Sequence, residues 1–230
     1  MESVLTFENV MVEAADLYEV PLSDVSFTLN RGDLVMVDVG DHYLHSPLSD
    51  AAEGLVPPAQ GTVRFLGENW QSMDPTRASA CRGSIRRVFR SRGWLSNLDV
   101  DENIMLPMIH HTRQPVEEIR AAAQGLAREF GLGELPRVRP PKVNRSDLKR
   151  AEWVRAFLGQ PQLVILEEPS ADIYAGATRP LADAVQRARA RGAGVLWVTT
   201  SSELRNFGDV KPSQTLKLRG SAGVSVEKES

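Results

Sequence analysis

Two adjacent carboxylates, Glu167 and Glu168, close the apolar run Leu163-Val164-Ile165-Leu166 and are the first candidates for chemistry. A carboxylate at the end of a buried run accepts protons and hydrogen bonds, and its charge calls for a cation. Cations are concentrated upstream, in Arg82, Arg86, Arg87, Arg90 and Arg92. A guanidinium suits two-pronged pairing with a carboxylate, although such a stretch reads equally well as a solvated basic face. A third segment of interest is Val39-Gly40-Asp41-His42-Tyr43-Leu44-His45-Ser46-Pro47. From Asp38 to Asp50 it carries three aspartates and neither lysine nor arginine, so it should repel a polyanion. The plain reading of His45 is a loop or helix-start histidine.

These residues need a frame. Val4-Leu5-Thr6-Phe7 and Val25-Ser26-Phe27-Thr28-Leu29 alternate in polarity like half-buried strands. The turn Asn30-Arg31-Gly32-Asp33 leads into Leu34-Val35-Met36-Val37, short and apolar enough for a buried strand, and Pro57 to Gly61 is a turn before the strand Thr62-Val63-Arg64-Phe65. The middle of the chain is helical in pattern. Pro115 opens a run in which Val116, Ile119, Ala123, Leu126, Ala127 and Phe130 recur at helical spacing until Gly131, and Ser146 is expected to cap a second helix. Then strand (163–166), helix (178–191) and strand (194–198) alternate, which predicts a parallel α/β core with both faces covered. The tail from Thr215 to Glu227 is expected to form a hairpin.

Composition adds bounds. The 230 residues are 42% hydrophobic and 25% charged with a net charge of -3, an ordinary globular balance that argues against nucleic-acid partners. One cysteine, Cys81, rules out an intrachain disulfide. The N-terminus does not read as a signal peptide, and no run approaches the roughly 18 apolar residues of a membrane span, so a membrane role would need a spanning partner.

The order of these segments resembles the ATP-binding subunits of ABC transporters, over nearly the whole chain. Arg31 to Val37 resembles the strand feeding their phosphate loop, and Gly54 to Val63 the next helix end and strand. Val88-Phe89 and Leu95 to Ile104 resemble the glutamine-loop region, and Arg150 to Leu158 the helix after the signature. Leu163 to Ser170 resembles the Walker B strand with its catalytic glutamate, and Val198-Thr199 the end of the switch-histidine strand. The finer likeness is to small separate ATPase subunits of lipid or lipoprotein export. The resemblance implies a P-loop NTPase-like parallel sheet, an N-terminal antiparallel β portion and a helical and signature subdomain inserted at about 70–160, all within one domain of 1–230.

Set against that family, the site is depleted. Phosphate loops work through glycines that let backbone N–H groups turn inward, plus one lysine. Here Ser46 alone matches the motif, while His42 and Leu44 stand at glycine positions, His45 at the lysine and Pro47 at a hydroxyl. Arg90 stands where a glutamine is expected, Val143-Asn144-Arg145-Ser146-Asp147 where the signature loop is, Tyr174 at a loop aspartate and Thr200 at the switch histidine. Glu168 matches the general base, and Glu167, with its longer arm, is still able to coordinate magnesium. Arg90 is then expected to reach Glu167 or Glu168 in place of the missing cation. Tyr18 is a candidate for the adenine-stacking aromatic, in uncertain register.

The resemblance implies a cytoplasmic, peripheral subunit that binds a membrane-spanning permease and a second cassette-type subunit. Catalytic, cofactor-binding and metal-binding residues are not assigned; Glu167 and Glu168, and Gly40, His45 and Ser46, are vestigial positions. Permease contacts are expected from Arg90, Trp94, Leu95 and Met105, although about half of the apolar residues near them should be core. The leading expectation is a pseudo-ATPase without cofactor. The alternatives are a working ATPase with an unconventional site, using ATP and magnesium, and a soluble scaffold outside transport.

Overall fold

The computed structural model describes residues 2–14, 18, 21–40, 46–91, 93–200, 210–219 and 223–225. Two sheets are stacked. The first is antiparallel, in the order β2 (Leu22–Asn30), β1 (Ser3–Val12), β4 (Gln60–Phe65), β5 (Glu68–Asn69). The second runs β10 (Gly223–Ser225), β9 (Gln214–Arg219), β3 (Leu34–Asp38), β8 (Gly194–Thr199), β7 (Leu163–Glu167), β6 (Ile85–Val88). Its pairs from β9 to β6 are parallel, and β9 with β10 forms the expected terminal hairpin.

Strand periodicity divides the core. Val35, Val37, Leu163, Ile165, Leu196 and Val198 face the antiparallel sheet. Leu34, Met36, Val164, Leu166, Val195 and Trp197 face the helices α3 (Val100–His111), α4 (Val116–Glu129), α5 (Arg145–Phe157) and α6 (Arg179–Ala190). Because successive side chains alternate faces, Ile85 and Arg87 turn to the first side while Arg86 and Val88 turn to the second. The full burial of Trp153 and Trp197 anchors the helical layer.

Three local expectations change. Helix α5 is capped by Asn144, whose Oδ1 accepts the Asp147 N–H at 2.9 Å, so Ser146 lies inside the first turn. Pro115 is the residue before α4 and not its first. The 70–160 region includes β6, a strand of the main sheet, so the helical layer proper begins at α3. The short helices α1 (Leu48–Ala52) and α2 (Pro75–Arg82) belong with the antiparallel side. Gly54 ends α1 with φ of +63, and a Cβ there would lie 2.5 Å from the Trp70 ring, so both backbone and packing demand glycine.

Candidate functional site

In open parallel sheets the usual ligand crevice lies beyond the carboxyl ends of the strands. Here that region holds a cavity of about 240 Å3, lined in part by Tyr18, Ser46, Asp50, Arg87, Arg90, Glu167 and Glu168. Glu167 is the last residue of β7, and Glu168 follows with φ of 41, a left-handed conformation that strains a residue bearing a Cβ. Its N–H donates to the Val198 carbonyl at 3.0 Å. The Trp153 indole N–H donates to the Pro169 carbonyl at 2.8 Å, tying the turn to α5.

Arg87 organises the crevice. Its Nε and Nη2 donate to Glu167 at 3.1 and 2.7 Å, a two-pronged pair. Its Nη1 donates to Asp50 at 2.5 Å and to Glu53 at 3.0 Å. The side chain is 10% exposed. Burial opposes its charge, but Glu167 and Glu53 outweigh burial and hold the guanidinium protonated well above its ordinary range. Burial also pushes the Glu53 carboxyl up, against the pull of Arg87.

Arg90 does reach the carboxylates, in a lesser role. Its Nε lies 3.4 Å from Glu168 Oε2, and its backbone N–H donates to Glu167 Oε2 at 3.3 Å. The larger share of the pairing with these carboxylates belongs to Arg87, a residue not among those expected from sequence. The signal was available: Arg87 shares the parity of Ile85 on β6, and Asp50 and Glu53 are three residues apart on one helical edge. Tyr18 also belongs to this network. Its hydroxyl donates to Asp50 Oδ2 at 2.6 Å, and burial, then the Asp50 hydrogen bond, push its pKa up to about 12.

Gly40 has φ of +66, and its N–H donates to Asp38 Oδ1 at 2.9 Å. The Ser46 hydroxyl accepts the Leu48 N–H at 3.3 Å, a local turn contact. His42, Leu44, His45 and Arg92 lie outside the described residues. Among the described residues no group of three or more His, Cys, Asp or Glu is arranged to hold a metal ion. Asp50, Glu53 and Glu167 converge on a guanidinium instead. Among the described lining residues, three carboxylates (Asp50, Glu167 and Glu168) face two guanidiniums (Arg87 and Arg90).

The segment after β6 is braced from α5. Lys149 Nζ pairs with Glu152 at 2.8 Å and donates to the Phe89 carbonyl at 3.0 Å. Arg155 donates to the Gly93 carbonyl and stacks with its Cζ 4.8 Å from the Trp94 ring. Asn103 clasps Leu95 from both sides, accepting its N–H at 2.8 Å and donating to its carbonyl at 3.1 Å. Leu95 (49%), Leu106 (39%) and Ile109 (43%) remain exposed. Met105 is 2% exposed and Ile104 and Met108 are buried, so these three hold the core; Met105 presents no surface to a partner.

No family model matches the chain. HrtA of Staphylococcus haemolyticus, an ATP-binding protein assigned to hemin import, is 27% identical over 154 residues, covering 67% of this chain and 69% of that protein. MlaF of Escherichia coli, the ATP-binding protein of an intermembrane phospholipid transport system, is 23% identical over 146 residues. That alignment covers 64% of this chain and spans about half, 54%, of MlaF. A dimeric ATP-binding cassette in a post-hydrolysis state, bound to ADP and phosphate, superposes with a TM-score of 0.80 at 18% identity, over 97% of this chain and 98% of that one. In sequence and in fold, the chain is similar to the ATP-binding subunits of ABC transporters.

Proposed function

We propose that the chain serves as a cassette-type subunit of a membrane transporter, on the inner face of the membrane, and that it does not hydrolyse ATP. Its relatives act in transport systems, and a structural neighbour is a dimer, which supports pairing with a permease and with a second cassette-type subunit. One observation carries the pseudo-ATPase reading. Arg87 bridges Asp50, Glu53 and Glu167 in the crevice where a metal-bound nucleotide would need to be held. A triphosphate entering there would meet carboxylates already paired with Arg87 and no free cation from that network. The exposed Leu95, Leu106 and Ile109, together with Trp94 and the partly exposed Arg90, are offered as the permease-facing surface.

The test is a titration of ATP with magnesium into purified protein, followed by turnover measurements on wild type and Glu168→Gln. The expected result is neither saturable binding nor hydrolysis. A hydrolysis rate that Glu168→Gln abolishes would establish a working ATPase and remove the pseudoenzyme reading. Co-purification with the permease is expected to fall in a Leu95→Asp/Leu106→Asp variant; unchanged recovery would move the docking surface elsewhere.

A further inference from the structure

A second cavity, of about 860 Å3, opens at the other edge of the main sheet, where Ser84 precedes β6 and Pro161 precedes β7. Met108 of α3, Ile119 and Leu126 of α4 and Phe157 of α5 give it an apolar wall. Arg86 also lines it and is only 7% exposed. Its Nη1 donates to the carbonyls of Gly83 and Ile85 at 2.7 and 2.8 Å, and its Nη2 meets only the Met108 sulfur, at 3.5 Å. Its Nε is buried with no hydrogen-bond partner.

Among the described residues no carboxylate pairs with Arg86, and Glu129 on the same wall is taken by Arg187. Buried cations are ordinarily answered by an anion. Carbonyl dipoles and a thioether offset part of the desolvation cost, and burial pulls the guanidinium pKa down accordingly. The volume falls within the roughly 300–1,000 Å3 of small-molecule sites, and such sites combine apolar walls with one or two placed polar groups. Contrast Arg87, one residue away on the opposite face, which has three carboxylates.

We propose that this cavity binds a small amphipathic anion, a carboxylate or phosphate monoester carrying an apolar tail, with its head at Arg86 and its tail along Met108, Leu126 and Phe157. The site is remote from the carboxyl-end crevice, and it stands or falls independently of the function proposed above. Decanoate, decyl phosphate and decanol, each below its aggregation concentration, are titrated into the full chain by calorimetry. Saturable binding of either anion, at least about tenfold tighter than decanol, is expected, together with a rise in Tm. The two anions distinguish a carboxylate from a phosphate head. Arg86→Gln should weaken binding at least about tenfold, the cost of losing a charge-assisted pair. Removing a buried guanidinium can unfold a chain, so Ala122→Trp, at the exposed rim on α4, supplies a second block with Arg86 intact. Absent saturable binding of both anions, decanol binding as tightly as they do, or full binding retained by Ala122→Trp would each overturn the assignment.

Discussion

Replacing Arg87 with methionine keeps much of the side-chain volume and removes the one group shared by Asp50, Glu53 and Glu167. Breaking a buried pair from one side costs about 3–5 kcal/mol, because the partner's charge stays buried and unanswered. The carboxylates here are 25%, 14% and 15% exposed, so solvent relieves some of that, and about 3 kcal/mol is expected. In a domain of this size about 3 kcal/mol lowers Tm by roughly 6–12 °C. The loss should depend on pH in a definite sense. Burial raises the folded-state pKa of Glu53, and without Arg87 it rises further, so the folded state binds the proton more tightly than the unfolded state does. Stability of the variant therefore falls as pH rises above the ordinary carboxylate range, and the gap from wild type is widest near neutrality. Adding Glu53→Gln should restore about 1 kcal/mol by removing one of the stranded charges. Thermal unfolding followed by far-UV circular dichroism across that pH range reads all three effects. An Arg87→Met variant melting within about 2 °C of wild type near neutrality would refute the view that Arg87 holds the crevice together.

Other consequences are more local. Arg90→Gln should cost under about 1 kcal/mol, since its side chain is 32% exposed and its contact with Glu168 is 3.4 Å; a loss equal to that of Arg87→Met would reverse their ranking. Asn144→Ala should lower stability by about 1 kcal/mol while Ser146→Ala stays within about 0.5 kcal/mol, and denaturant midpoints separate the two. Met105→Ala should cost about 2–5 kcal/mol, whereas Leu95→Ala should leave Tm nearly unchanged. Tyr18 keeps its proton to about pH 12 in the fold against 10.0 for an ordinary tyrosine, so its share of stability is intact below 10 and lost as pH climbs toward 12. Tyr18→Phe should flatten that alkaline decline, as measured by urea unfolding at a series of pH values.

Much of the frame is legible along the chain. The alternating runs 4–7 and 25–29 and the continuous apolar runs 34–37, 163–166 and 194–198 became strands as their periods require, because period and burial are properties of neighbouring residues. That the stretch from Asp41 to Pro47 holds neither glycine nor lysine, and that Glu167-Glu168 closes the run 163–166, are likewise facts of sequence. Short-range capping was less so: Ser146 and Asn144 are both good caps, and only the backbone at 144, extended with ψ of 157, selects Asn144.

What the linear chain could not decide is which charges meet. Five arginines lie between 82 and 92, and spacing alone does not say which faces Glu167, some 80 residues away. Pairing of β6 beside β7 sets that choice, because the pleat sends Arg87 toward α1 and Arg86 toward α3. Two adjacent residues of one type thereby acquire opposite surroundings, one with three carboxylates and one with none among the described residues. Sequence alone carried the likeness to the cassette-type scaffold and the order of its strands and helices. Tertiary structure alone decided that Asp50, Glu53 and Glu167 are knitted together by Arg87, since contacts between distant segments exist only once the sheet has formed.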